Sequence, residues 1–335
     1  MSVDRSHPVI TAMILLVSAL SILPAEEEQA IEIPPGVTVR TGFGVGAQNL
    51  GFDVAESGLS ADDLSLTPNV PLHWIIGAAW KRVGLSLRIK LPATVADLET
   101  RGRTEFTNLQ LQFFGDRNAV EVNAQQHTGM YIENEDDFDE EITDTRLDDL
   151  RLTTLSLAYF RALNPRHSLA AAYKLNAWNA RSTGSTILLG SYSLIGIEVP
   201  GGPARSIPAA EGTIWSGDVV IFTQTATVGI GYGANLTWNN VFFAPLLAIG
   251  FGGQWGEYGI GPESGRSSSL APSIYLRASA GINGPRWIAA IVGSFDRRSV
   301  QTPYLTAVQG SSLLEFVVGR RFPMRRWRGT RDLEY

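Results

Sequence analysis

Apolar and polar residues alternate strictly over many short stretches of this chain. In "VGLSLRIKL", residues 83–91, the odd positions are Val, Leu or Ile, and the even positions are Gly, Ser, Arg and Lys. Successive side chains of a β-strand point to opposite faces, so this pattern predicts a strand with one apolar and one polar face. A helix would scatter the same apolar residues around its axis. Arg88 and Lys90 therefore belong to the polar face of a predicted strand.

The same alternation recurs along the chain, in segments of about ten residues, the length at which a tilted strand crosses a bilayer. Further predicted strands include residues 37–48, 108–114, 120–127, 168–178, 273–282 and 314–322. Short turns separate some of them, at residues 81–82, 115–118, 163–166, 238–240 and 283–285. Long connections separate others, at residues 49–68, 92–104, 132–150, 256–271 and 296–311. Alternating short and long connections are typical of outer-membrane barrels.

The predicted fold is therefore all-β: a transmembrane antiparallel β-barrel over residues 37–322, with about 12 strands. Closure into a barrel satisfies every backbone hydrogen-bonding group in lipid. Residues 179–221 complicate the strand count, because "STILLGSYSLIGI" at residues 185–197 also has strand character. We interpret residues 179–221 as one long outer loop or an excursion into the lumen. Two spanning strands in this segment would raise the count to about 14.

The two ends of the chain predict an exported protein. Residues 1–25 contain a basic start, an apolar stretch and a plausible cleavage site, as in a cleaved signal peptide. Residues 26–36 would then form a periplasmic N-terminal segment, and residues 323–335 a basic periplasmic tail. Phe322 stands where the outer-membrane assembly machinery recognises a terminal aromatic residue in barrel proteins. These features predict a location in the outer membrane of a Gram-negative bacterium.

Composition narrows the chemistry. The chain has 335 residues, a net charge of −6 and no cysteine. The absence of cysteine excludes disulfides, thiolate metal sites and a lipid-bearing cysteine, and the acidic balance argues against nucleic-acid binding. No cofactor is indicated. A secreted β-sandwich or a soluble barrel would show the same alternation, but the sorting of connections into short and long favours the membrane.

Three stretches carry a resemblance to a known family. They are residues 66–92, 108–134 and 160–190, which include Trp178, Asn179, Arg181, Ser182, Gly184 and Ser185. They resemble the bacterial family catalogued as domain of unknown function 4421, whose final block has a Trp-Gln pair followed by Lys-Ser-Ala-Gly-Ser. Asn and Thr here replace the Gln and the Ala. The resemblance implies an outer-membrane barrel and no particular activity.

Predicted function depends on the face opposite the lipid. The candidate lumen and selectivity residues are Arg40, Arg88, Lys90, Glu121, Lys174, Asn176, Arg277, Glu315 and Arg321. Their basic excess favours anions, so one hypothesis is a narrow anion-preferring pore or uptake channel for small anionic solutes. In the alternative, these charges pair with one another in a plugged structural or binding barrel that does not conduct.

Two further hypotheses concern chemistry. A lipid hydrolase would use Ser182 or Ser185 with His127 as the base, although no nucleophile-elbow sequence accompanies them. The acidic segment at residues 133–149 offers a weak metal site at Asp136, Asp137, Asp139, Glu140 and Glu141. Its simpler interpretation is a solvated outer loop that contacts lipopolysaccharide through divalent ions. Aromatic girdles at the membrane interfaces would draw on Trp74, Trp80, Tyr159, Trp178, Trp238 and Trp287.

Overall fold

The computed structural model describes residues 36–53, 63–70, 72–91, 98–115, 117–133, 144–173, 182–202, 217–301 and 306–323. These residues contain the strands β1 (Gly36–Asp53), β2 (Asp63–Thr67), β3 (His73–Trp80), β4 (Val83–Lys90), β5 (Glu105–Phe114), β6 (Asn118–Ile132), β7 (Arg146–Ala162), β8 (Thr183–Val199), β9 (Val219–Trp238), β10 (Val241–Ile260), β11 (Glu263–Leu270), β12 (Ser273–Asn283), β13 (Trp287–Gln301) and β14 (Thr306–Pro323). The same residues contain two short helices, α1 (Leu98–Arg101) and α2 (Leu169–Tyr173). No helix in these ranges is long and apolar enough to cross a membrane.

Twelve of the strands close into an antiparallel barrel, as the alternation predicts. The order around the ring is β1, β3, β4, β5, β6, β7, β8, β9, β10, β12, β13 and β14, and β14 pairs again with β1. Strands β2 and β11 lie outside this ring, since β2 pairs with β1 and β6, and β11 pairs with β10. The predicted barrel class is confirmed.

The two ends of the barrel differ. Gly36 and Pro323 pair at one end, where short turns join β3 to β4, β5 to β6, β9 to β10 and β12 to β13. We call this the turn end, and the opposite end the loop end. Barrels of this type keep their short turns in the periplasm. At the loop end, β1, β9, β10, β13 and β14 reach 15 to 20 residues and continue into segments predicted as loops.

The strand predicted at residues 168–178 is wrong, and so is the interpretation of residues 179–221 as one long loop or excursion. Residues 169–173 form helix α2, and residues 183–199 form β8, which pairs along its length with β7 and β9. The sequence LAAAY of α2 is rich in alanine, a good helix former, and Ser168 Oγ accepts a hydrogen bond from the backbone N–H of Ala171 at 3.2 Å. One strand is exchanged for another, so the count stays at twelve.

The outer surface of the barrel is apolar. Exposed side chains alternate with inward ones on β1, β4, β9, β10, β12 and β14; they include Val39, Phe43, Leu85, Val228, Ile230, Leu247, Ile249, Ile274, Leu276, Leu314 and Phe316. Trp80, Trp238 and Trp287 are exposed at the turn end, as a girdle requires, and Trp74 is exposed on β3. Tyr159 donates to Asn118 Oδ1 at 2.8 Å. Trp178 lies outside the described residues.

An apolar core fills the barrel near the loop end. Its members come from β1, β2, β6, β7, β8, β9 and β10, and they include Leu50, Phe52, Leu64, Leu66, Met130, Leu150, Leu152, Ile197 and Ile221. Strand β2 bridges β1 directly to β6, past the short strands β3, β4 and β5. The ring is therefore narrower at this level, and buried apolar side chains lie inside it.

A second apolar core lies near the turn end, around α2. Leu169, Ala170 and Ala171 are buried with Phe114, Phe160 and other inward side chains, and α2 packs against β6, β9, β10 and β12. His167, just before α2, is fully buried, and burial lowers its pKa to about 4 against a weaker opposing contribution from Thr183. His167 is therefore neutral near pH 7. The barrel has apolar material inside it at both ends.

Candidate functional site

A chamber of about 200 Å³, lined by both polar and apolar side chains, lies inside the barrel, between the two apolar cores. Among the described residues, every barrel strand except β10 contributes to its wall. Every second residue of a barrel strand points inward, and these inward residues form the lining. The polar faces of the predicted strands therefore meet here.

One buried ion pair joins β4 to β14. Arg88 Nε lies 2.5 Å from Glu315 Oε1, and Arg88 Nη2 lies 3.2 Å from Oε2, in a two-point contact. The same guanidinium donates to Asn108 Oδ1 at 3.0 Å and to Gln110 Oε1 at 3.3 Å. His73 Nε2 lies 3.5 Å from Glu315 Oε1. Buried charges persist when they are paired and hydrogen-bonded in this way.

This ion pair depends on a glycine in β1, the strand between β14 and β3. A Cβ at position 44 would lie 2.4 Å from Nε2 of His73 and 3.0 Å from Cγ of Glu315. Any larger residue at this inward position would displace the two partners. Gly44 therefore makes room for the charged groups, a role that the alternation pattern does not reveal.

A second ion pair crosses the lumen. Arg277 Nη1 on β12 lies 3.0 Å from Glu121 Oε1 on β6. Six barrel strands separate β12 from β6 in one direction and four in the other, so the pair joins nearly opposite walls. Tyr275 OH lies 3.3 Å from Arg277 Nη1, and Gln110 donates to Glu121 Oε2 at 3.3 Å. Gln110 links the two ion pairs into one network.

Amides and imidazoles extend this network toward the loop end. Gln125 Nε2 lies 2.5 Å from Gln48 Oε1 and 2.6 Å from His127 Nε2. Phe106 packs against both His127 and His73, with ring centroids 4.8 Å and 5.9 Å apart. His127 is thus held by an amide and an aromatic ring.

The rest of the chamber wall is rich in hydroxyl groups. They come from β7, β8, β9, β12, β13 and β14: Ser156, Ser191, Ser193, Thr225, Thr227, Ser273, Ser294, Ser311 and Ser312. Asn123 lies on the same wall, as does Asp296. The chamber thus combines a side of internally paired charges with a side of hydroxyl and amide groups that also includes the Asp296 carboxylate.

The predicted lumen residues take different positions. Arg88, Glu121, Arg277 and Glu315 meet in the chamber. Arg40 donates to Ser86 Oγ at 2.7 Å, and half-buried Lys90 donates to the carbonyl of Thr104 at 2.7 Å. Arg321, at the turn end, donates to Asn283 and to the carbonyl of Gly284. Lys174 and Asn176 lie outside the described residues. The role of all nine predicted lumen residues in selectivity stays a prediction.

The sequence matches one known protein family. A family model described as "Domain of unknown function (DUF4421)" matches residues 20–313. The chain belongs to this family. No curated protein gives a significant match to the sequence.

The DUF4421 barrel is similar to several solved outer-membrane proteins. The outer membrane protease OmpT from Escherichia coli is 10% identical, with 88% of this chain and 99% of that chain covered and a TM-score of 0.44. OmpT of Vibrio cholerae is 8% identical, with 88% and 100% covered and a TM-score of 0.33. The P. putida toluene transporter TodX is 7% identical, with 87% and 91% covered and a TM-score of 0.30.

The geometry of the DUF4421 barrel separates the predicted hydrolase residues. Ser182 Oγ accepts from the N–H of Thr237 at 3.0 Å, and Ser185 Oγ accepts from the N–H of Asn164 at 2.9 Å, both at the turn end. His127 is level with Ile197 of β8, and about 40 Å of strand separates that level from Ser185. Ser182 and Ser185 lie at the turn end because β8 begins there, whereas His127 lies toward the loop end.

Other predicted features of the DUF4421 barrel fall on residues that are not described. Asp136, Asp137, Asp139, Glu140 and Glu141 of the acidic segment are among them, as are Trp178, Asn179 and Arg181 of the family-like motif, the signal peptide at 1–25 and the tail after Pro323. Within the described ranges, no group of three or more His, Asp or Glu residues could hold a metal ion.

Proposed function

We propose that this protein is a closed outer-membrane barrel that binds a small, uncharged polar solute in its chamber. The observation that carries this proposal is the Arg277–Glu121 pair, which ties nearly opposite walls of the lumen together at 3.0 Å. Apolar cores lie on both sides of this tie, one at each end of the barrel. A closed lumen of this kind favours binding over steady conduction.

Charge pairing argues against the anion-preferring pore. A selective anion pathway needs basic side chains whose charge is available to the passing ion. Arg88 and Arg277 instead make ion pairs with Glu315 and Glu121. A passing anion would have to compete with a buried carboxylate at each position, which is costly because both partners would lose their compensation.

The chamber wall indicates the class of solute. Serine and threonine hydroxyls and asparagine and glutamine amides both donate and accept hydrogen bonds, which suits a polyol or a sugar. A volume of about 200 Å³ is below the range typical of drug-sized ligands, so the solute is small. A monosaccharide has the required chemistry.

Conductance tests the closed state. We expect the refolded full-length mature protein to give no steady current steps in a planar bilayer, since the ties and the cores obstruct the lumen. Heat-modifiable migration in gels verifies folding of the same sample. Steady anion-selective steps that weaken in Arg88→Ala and Lys90→Ala would overturn the closed barrel and support the pore.

Ligand-linked stability tests the chamber. We expect glucose to raise the urea midpoint of the barrel in lipid vesicles, because a ligand that binds only the folded state stabilises it. Ser294→Phe fills the chamber and should abolish this specific shift. Ala289→Phe, on the outward face of the same strand, should keep it.

The matched variant Ala289→Phe also separates binding in the chamber from a general effect of sugar on the solvent. Sugars raise protein stability by exclusion from surfaces, and this contribution should be equal in the wild type and both variants. Equal glucose shifts in wild type and Ser294→Phe would therefore contradict binding in the chamber.

A further inference from the structure

A group of cations and aromatic rings lies on the outside of the barrel at the turn end. We define the basic aromatic rim as Lys81, Arg286 and Arg320 together with Trp80, Trp287 and Phe322. All six side chains are exposed, and Trp287 is 57% exposed. The rim lies on the outside of the barrel, apart from the chamber, and none of its residues lines that chamber.

Strand register brings the rim together. Arg320 of β14 is directly opposite Trp287 of β13, and Val37 of β1 lies between Phe322 and Trp80. The guanidinium carbon of Arg320 lies 5.1 Å from the Trp287 ring centroid and 5.2 Å from that of Phe322. Lys81 Nζ lies 4.8 Å from the Trp80 ring centroid. Cation–π contacts of this length hold the charges over the aromatic rings.

Charge at the turn end has one sign in the described residues. Residues 36–40, 78–84, 112–115, 117–120, 159–168, 235–244, 283–288 and 318–323 include Arg or Lys at several positions and neither Asp nor Glu. Asp116, in the β5–β6 turn, lies outside the described residues. The described loop end, in contrast, contains charged residues of both signs, which form ion pairs such as Arg151 with Glu198 and Arg266 with Glu257.

The orientation of Arg320 points to the ligand. On β14, Leu314, Phe316 and Phe322 face outward with it, so Arg320 emerges from the lipid-facing surface. A cation on this face is costly at the bilayer midplane, and the cost falls to near zero at the interface. Tryptophan rings beside it mark the headgroup level. Arg320, and Lys81 over the Trp80 ring, therefore lie at the level expected for lipid phosphates, and exposed Arg286 directly precedes Trp287 in the adjacent turn.

We propose that the basic aromatic rim binds the headgroups of anionic phospholipids in the leaflet at the turn end. Basic side chains near a membrane surface attract anionic lipids, and each contributes about fivefold in affinity. The aromatic rings hold the cations against the barrel and contact the upper acyl chains. The ligand class is a diacyl phospholipid with net negative charge, such as phosphatidylglycerol.

Selective quenching of tryptophan fluorescence tests this binding, since Trp80 and Trp287 belong to the rim. The full-length mature protein is placed in phosphatidylcholine vesicles that contain a small fraction of brominated phosphatidylglycerol or brominated phosphatidylcholine. We expect stronger quenching by the brominated phosphatidylglycerol. The triple variant Lys81→Gln, Arg286→Gln, Arg320→Gln should lose about tenfold or more of this preference.

A matched triple variant at the loop end controls for net charge: Arg151→Gln, Arg266→Gln, Arg297→Gln should keep the preference. Arg320→Lys should also keep it, because the charge remains. Arg286→Gln alone, in an exposed turn, should lose about fivefold even if the triple rim variant fails to fold. Equal quenching by the two lipids in wild type, an unchanged preference in the rim variants, or an equal loss in the loop-end variant would overturn the proposal.

Discussion

Glu315→Gln is expected to destabilise the folded barrel by roughly 3–5 kcal/mol. The substitution removes the negative charge that compensates Arg88, and Arg88 is 8% exposed inside the barrel. A buried charge without its partner loses its Coulombic compensation while its desolvation cost remains. Urea unfolding in lipid vesicles, followed by tryptophan fluorescence, measures the change.

Two controls separate charge pairing from other effects of this substitution. Glu257→Gln removes an exposed ion pair at the loop end, where Glu257 Oε1 lies 3.0 Å from Arg266 Nη2, and should cost less than about 1 kcal/mol. The double substitution Arg88→Met with Glu315→Leu should recover much of the lost stability, since no charge stays buried. A Glu315→Gln barrel as stable as wild type would show that Arg88 is compensated by other groups.

The single variant Phe52→Ala is expected to lower the free energy of unfolding by roughly 3–5 kcal/mol. Phe52 is fully buried in the loop-end core, where it packs with residues from strands distant in sequence. Truncation would leave a cavity in a narrow part of the barrel, and the loss combines transfer free energy with unfilled volume. The same vesicle unfolding experiment reports the loss as a lower urea midpoint.

Phe43→Ala is the matched control, because Phe43 lies on the same strand and faces lipid with 53% of its surface exposed. Acyl chains can fill the space left by this side chain, so a smaller loss is expected than at Phe52. Equal losses for the two variants would contradict a packed core inside the barrel. A raised bilayer conductance in Phe52→Ala would in addition support the proposal that this core closes the lumen.

The sequence predicted the lipid-facing and lumen-facing sides of most strands. Leu85 and Leu276 face outward and Arg88 and Arg277 face inward, in agreement with strict alternation. This agreement has a local cause, since the side-chain direction in a strand reverses at every residue. The turns predicted at residues 81–82 and 238–240 also lie at real hairpins, which join β3 to β4 and β9 to β10.

The strand predicted at residues 168–178, where residues 169–173 form a helix instead, shows where local patterns fail. The segment around Leu169 alternates like a strand, but it forms a helix whose Leu169, Ala170 and Ala171 are buried and which packs against β6, β9, β10 and β12. Such contacts join residues far apart in sequence and leave no trace in local periodicity. For the same reason, the sequence did not predict that β2 pairs with both β1 and β6.

By itself, the sequence determined an antiparallel transmembrane barrel with charged inward side chains, because strand periodicity and connection lengths are local properties. Only the tertiary structure decided that these charges are paired. Arg88 and Glu315 are 227 positions apart, and Glu121 and Arg277 are 156 positions apart. Partners at such separations meet only when the barrel closes, and closure joins Arg88 with Glu315 and Arg277 with Glu121 in one hydrogen-bonded network that spans the lumen.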